Sequence, residues 1–323
     1  MDTQNSCGRQ TPMIPLARYR LNFRAQKPFS RRGFLGSAWR GALGHALKRT
    51  VCVTRQKECE SCLLYRTCVY PYMFETPPPQ DSELMRRYRS VPHPYVLQLP
   101  FPGIEHQPER EGITIGLTLI GKAQQQLPYL LHAMQQAGIH GIGPGRTALE
   151  LVDVQQSSSA ADSGWETIYR PEQVLQDQGL FVPAVPELGE KVRIRLLTPF
   201  RTKVSGHLLV PDKFDFSGFF SPLLRRISML QSFHGESVAV ADFKGLTEQS
   251  RSVKVSGKQL KWREWTRYSS RQGARMQMGG IAGEFHLETR QVEPFLEWLW
   301  VGQWTHNGKA ATMGLGRYLM EAG

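Results

Sequence analysis

The chain has 323 residues, 40% of them hydrophobic, with 40 Lys and Arg against 28 Asp and Glu for a net charge of +12. That length suits about two domains, and the apolar fraction can give each a core. No stretch approaches the ~18 continuous apolar residues of a membrane span, and the polar start up to Arg9 has no secretory apolar core, so a cytoplasmic protein without membrane contact is expected.

Residues 16–23 alternate basic and apolar side chains, the pattern of a half-buried strand. Residues 34–49 predict a helix, with Leu35, Ala38, Trp39, Ala42, Leu43, Ala46 and Leu47 as its apolar stripe. A cysteine-rich insertion at about 50–75 follows, then a Pro-rich loop region with a short strand near 95–99. Residues 112–120 predict a strand, 124–137 a helix stopped by Gly138, and 147–154 another strand. Strand, helix, strand, strand, helix, strand is the order of a ferredoxin-like (RRM-like) unit. Residues 157–188 are expected to be a linker. A second unit then opens with the sharply alternating 191–198 and continues with a helix at 219–233, strands near 258–268 and 276–287, and a final helix around Val292 to Trp300. The expected fold class is α+β: two tandem ferredoxin-like domains, 1–156 and 189–323, with a metal-binding insertion in the first.

The charge is uneven. Between Asp2 and Glu58 there is no acidic residue but twelve basic ones, and a second basic run from Lys244 to Arg275 is interleaved with Trp262, Trp265 and Tyr268. Basic side chains neutralise phosphates and aromatic rings stack on bases, so the pattern points to nucleic acid. Cys52, Cys59, Cys62 and Cys68 place four soft ligands in a short polar segment. Structural zinc is expected, with an iron–sulfur cluster as the alternative; disulfides do not suit a cytosolic chain. The C-terminus carries Gly308, Lys309, Gly314 and Gly316 after a helix. This glycine-rich bend with a lysine reads as a cradle for a phosphate backbone, most simply RNA.

Five stretches in order, residues 39–49, 70–77, 141–146, 267–272 together with 278–283, and 306–318, resemble the CRISPR-associated endoribonucleases of the RAMP superfamily, which cut precursor CRISPR RNA. The Gly314-Leu315-Gly316 triplet fits that family's glycine loop. The resemblance implies cleavage of CRISPR repeat RNA by attack of a ribose 2′-hydroxyl, leaving a 2′,3′-cyclic phosphate and a 5′-hydroxyl, with no catalytic metal. A histidine in the first helix often acts in the family, and His45 holds that place. Imidazole titrates near neutrality and can serve as base or acid. Lys48, three residues on, is expected to face the same groove and stabilise phosphate charge. His306, at the start of the glycine loop, is the second choice, and Tyr19 a possible third partner. RNA contacts are expected from Arg40, Arg49, Arg267, Arg271, Gly308, Lys309, Gly314, Gly316 and Arg317. Other CRISPR effector subunits are possible partners. Two rival readings are a non-cleaving RNA-binding subunit of a CRISPR effector complex and a nuclease using a metal at the cysteines; four thiols leave no open catalytic position, which disfavours the second.

Overall fold

The computed structural model describes residues 12, 14–27, 33–80, 90–102, 112–143, 145–160, 163–236, 241–269 and 274–323. The first domain contains β1 (Leu16–Ala25), α1 (Gly36–Val51), α2 (Val69–Phe74), β2 (Tyr95–Gln98), β3 (Gly112–Ile120), α3 (Leu127–Ile139), β4 (Leu149–Ser157) and β5 (Trp165–Tyr169). Its antiparallel sheet runs β2-β3-β1-β4-β5. The first four positions are the ferredoxin-like order. Helices α1 and α3 lie side by side on one face, with Trp39 of α1 against Phe23 of β1. Period-2 alternation in β1 turns Tyr19, Leu21 and Phe23 into the core while Arg20, Asn22 and Arg24 face away.

The second domain contains β6 (Lys191–Phe200), a small hairpin β7 (Lys203–Val204) and β8 (His207–Leu208), α4 (Phe216–His234), α5 (Phe243–Ser250), β9 (Ser256–Arg263), β10 (Thr266–Ser269), β11 (Ala274–Gln277), β12 (Gly280–Glu288), α6 (Thr289–Val292), α7 (Leu296–Thr305) and β13 (Tyr318–Ala322). Its sheet runs β13-β6-β12-β9, the same order again, so the fold is two tandem ferredoxin-like units. Asp215 caps α4: its carboxylate accepts from the Gly218 N–H at 2.6 Å.

Five elements differ from the sequence expectation. Helix α2 forms where prolines suggested loop; Pro71 sits in its first turn, where a missing N–H costs nothing. Helix α5 was not anticipated. The strands expected at 258–268 and 276–287 each break, at 264–265 and at 278–279, and the outer pieces form the separate β10–β11 hairpin. The expected linker contains β5, which adds to the first sheet's edge, and Phe181 pairs with Leu16, so this segment packs on the first domain. Polar Glu166 and Thr167 on this half-exposed edge hid the strand.

The domains share their cores. Leu315 and Met278 of the second domain pack within the first domain's apolar cluster, and Ile14, Leu16 and Ile120 of the first domain pack within the second's.

Candidate functional site

Helix α1 organises the site. Trp39, Leu43 and Leu47 turn inward, and His45 stands exposed on the opposite side. Arg49, one turn later, shares its face. Across from them, His132, Gln136 and His140 repeat at four-residue spacing on α3 and at its cap. These side chains, with Arg146 from the turn that follows, line an open cleft of about 550 Å³. The turn is built by Gly141 and Gly143, both at positive φ, and closed by the Ile142–Thr147 backbone pair. His140 Nδ1 donates to the Gln136 carbonyl at 2.7 Å, which leaves Nε2 as acceptor for the Arg49 guanidinium at 3.3 Å. That pairing orients the His140 ring and fixes Arg49 at the cleft wall. The cleft thus gathers three imidazoles and two guanidiniums, groups able to exchange protons and hold a phosphate. Sequence reasoning passed over His132, His140 and Arg146; the four-residue spacing on a helix was the available signal.

Lys48 does not face this cleft. Its ammonium turns to the cysteine insertion, where it donates to the Lys57 carbonyl at 2.9 Å and lies 5.3 Å from the Tyr70 ring centroid. Partial burial pulls its pKa down, but the nearby Cys59, Tyr70 and Cys52 outweigh that and leave it raised. His306 is fully buried, so it cannot meet a phosphate. Its Nδ1 lies 3.2 Å from the Leu315 carbonyl, and burial, with Arg317 and Arg226 nearby, holds its pKa well below the usual value. Tyr19 is buried in the first core, and its hydroxyl donates to Asp177 at 3.2 Å.

The glycine loop docks inside the protein. Gly308, Gly314 and Gly316 all have positive φ, and a Cβ on any of them would collide with a protein backbone oxygen: Arg201, Leu97 and Asn307 respectively. The Met313 carbonyl likewise presses on Gly36, at the start of α1. The close backbone approach anticipated for RNA is therefore made by the protein's own chain. Arg40 ties α1 to this loop: Nε donates to Thr312 Oγ1 at 3.3 Å, and the guanidinium lies 5.2 Å from the Phe74 ring centroid. Lys309 is exposed, and Arg317 is half-buried with its N–H donating to Thr198 Oγ1. Arg267 sits in β10 opposite Met276, and Arg271 lies outside the described residues. The expected RNA-binding residues therefore split. Arg49 lies in the α1–α3 cleft, whereas Arg40 and the glycine loop lie at the domain junction.

The four cysteines line one cavity of about 20 Å³ behind the C-terminal end of α1. Burial pushes the Cys59 thiol up, and the Thr54 hydroxyl, 3.3 Å from Cys62 Sγ, brings Cys62 down.

Residues 194–318 match the family described as CRISPR-associated endoribonuclease Cas6, and residues 14–180 match a family described as an N-terminal domain. Residues 194–318 are therefore a Cas6-type domain. A solved product complex of a Thermus thermophilus Cas6 is similar to it with a TM-score of 0.57 and 17% identity, over 95% of this chain and 99% of that one. A chain in a partial Cas6-RT-Cas1–Cas2 complex is similar with a TM-score of 0.56 and 14% identity, over 97% of this chain and 47% of that one. A curated relative from Archaeoglobus fulgidus, described as uncharacterized, is 24% identical over 172 residues. That match spans 53% of this chain and 56% of the relative's length. No helix among the described residues is long and apolar enough to cross a membrane.

Proposed function

We propose that the chain cleaves CRISPR repeat RNA in the cleft between α1 and α3. The carrying observation is the convergence of His45, His132 and His140 with Arg49 and Arg146 on one open surface, in a chain whose residues 194–318 match the Cas6 endoribonuclease family. In this reading Arg49 and Arg146 neutralise the scissile phosphate. His45 takes the proton of the ribose 2′-hydroxyl, whose oxygen attacks the neighbouring phosphorus. The bond from phosphorus to the 5′-oxygen breaks, and His132 supplies the proton that the departing oxygen needs. The products are a 2′,3′-cyclic phosphate and a 5′-hydroxyl. Acid and base are both side chains, so the steps require no metal.

Single-turnover cleavage of repeat RNA in EDTA tests this. A positioned acid or base contributes roughly 10²–10⁴-fold. His45→Ala and His132→Ala should each slow cleavage by that order while RNA affinity stays within a few-fold of the parent. Lys48→Ala should cleave near the parent rate, because its ammonium points to the cysteine insertion. Parent-like cleavage by His45→Ala would remove the cleft as the site. Tight binding by the parent without any cleavage would favour a non-cleaving RNA-binding subunit.

A further inference from the structure

The cysteine insertion has no part in the proposed cleavage, yet its geometry is specific. Cys52 caps the C-terminus of α1, its N–H donating to the Lys48 carbonyl at 3.0 Å. Cys68 occupies the N-cap of α2. Between them the chain makes two tight turns: the Cys62 N–H donates to the Cys59 carbonyl at 2.9 Å, and the Tyr65 N–H donates to the Cys62 carbonyl at 2.9 Å. These turns fold residues 52–68 back on themselves, so all four thiols border the same small cavity. The Thr54 hydroxyl sits 4.0 Å from Cys52 Sγ and 3.3 Å from Cys62 Sγ, which puts both sulfurs within reach of one oxygen. Among the described residues, no three His, Cys, Asp or Glu side chains stand ready-grouped to hold an ion, so binding requires the thiols to rotate inward. Each cysteine has one free χ1, and rotation between staggered wells moves a sulfur by a few ångströms without moving the backbone.

We propose that Cys52, Cys59, Cys62 and Cys68 bind one zinc ion as a closed tetrathiolate, and that this ion clamps the end of α1 to the start of α2. Four soft sulfur ligands with no water position are the donor set of a structural, not a catalytic, zinc. A tetrathiolate zinc carries net negative charge. Lys48, which lines the same cavity as the four cysteines, is the cation placed to offset it. The clamp reaches the cleft by packing. Tyr70 and Phe74 of α2 stack at 5.5 Å, Phe74 presses on Gly44, and Gly44 immediately precedes His45. Securing α2 therefore buttresses the inner side of the α1 turn that presents His45.

The decisive experiment is metal analysis of the purified parent chain, with Co²⁺ titration after chelator treatment. We expect one zinc per chain. The Co²⁺ form should show the intense ligand-field and sulfur-to-metal absorption of a tetrahedral tetrathiolate, saturating at one equivalent. Replacing all four cysteines by serine should abolish both signals, while Cys7→Ser, at the one other cysteine of the sequence, should leave them intact. The parent alone decides the matter if the quadruple variant fails to fold. Iron with acid-labile sulfide, a loss of the four thiols as reducible disulfides without metal, or four freely titrating thiols with no bound metal would each overturn the proposal. None of these readouts involves RNA, so their failure is distinguishable from failure of the cleavage reading.

Discussion

Acid should loosen this protein at its domain junction, and the loss can be sized from three histidines packed in the interior, His234 and His306 buried and His93 partly so. His234 ends α4 and reaches across to the first domain: Nε2 donates to the Pro92 carbonyl at 2.9 Å, and Nδ1 accepts from the Tyr72 hydroxyl at 3.3 Å. Burial lowers its pKa to about 4, with Arg226 and Lys122 adding to the shift. His93, bonded to Thr76 Oγ1 at 2.6 Å, is lowered by burial to about 3, with Arg40, Arg226 and His234 adding to the shift. His306 is lowered in the same direction, and Arg226 faces it too. In the unfolded chain a histidine titrates near ~6.5. Below that pH the unfolded state binds protons the folded state refuses. Stability is therefore complete above about 6.5 and falls as the pH drops toward 4 and 3. Near pH 5, His234 alone costs on the order of 2 kcal/mol relative to pH 7. With two to three such sites the slope approaches ~3–4 kcal/mol per pH unit, against a total stability of roughly 5–15 kcal/mol. Urea unfolding at pH 7, 6 and 5 and constant ionic strength measures it, with His234→Gln expected to flatten the slope by up to about one proton. A parent whose unfolding free energy changes by less than ~1 kcal/mol from pH 7 to 5 would show that these imidazoles are hydrated or charged when folded.

Two further outcomes follow from the charge distribution and the glycine loop. RNA affinity should fall by orders of magnitude between roughly 50 and 200 mM salt, as phosphate neutralisation releases counterions, and Arg49→Ala should make the slope shallower by ~1; filter binding across a salt series would expose a flat response. Gly316→Ala should destabilise the fold by several kcal/mol, since the residue has φ +69° and its Cβ would overlap the Asn307 carbonyl oxygen. A thermal midpoint for Gly316→Ala equal to the parent's would mean that the loop does not dock as described.

The architecture was legible because hydrophobic period and element order are local signals. The alternation of β1 and the stripe of α1 are each written in a dozen residues, and two such series gave two ferredoxin-like units. The exposed placement of His45 was legible for the same reason: its angle on α1 follows from its distance to Trp39, Leu43 and Leu47. Its neighbours in the cleft were not, because α3 is about ninety residues away in sequence and only the sheet order brings it alongside α1. Lys48 shows how little separation is enough to mislead. Three residues along a helix is a rotation of roughly 60° from His45. That suffices to move an ammonium from the α3 side to the cysteine side once the Tyr70 ring stands there to receive it.

The glycine loop carries the more general lesson. Gly308, Gly314 and Gly316 did announce a close backbone approach, but glycine does not say whose backbone approaches. A ligand's phosphate and a protein carbonyl both exclude a Cβ in the same way. What separates the two cases is the partner, and here the partners are the carbonyls of Arg201, Leu97 and Asn307. Leu97 belongs to β2 of the first domain, and Gly36 of α1 receives the loop's Met313 carbonyl. The loop therefore fixes where α1 begins relative to the second domain, with Arg40 bonded across to Thr312. If so, substitutions in the loop should disturb cleavage and stability together, whereas substitutions of His45 or Arg49 should disturb cleavage or binding with stability preserved. Measuring both quantities on Gly314→Ala and His45→Ala separates a positioning loop from an RNA cradle. A Gly314→Ala chain that keeps the parent's melting temperature yet loses RNA affinity would restore the cradle.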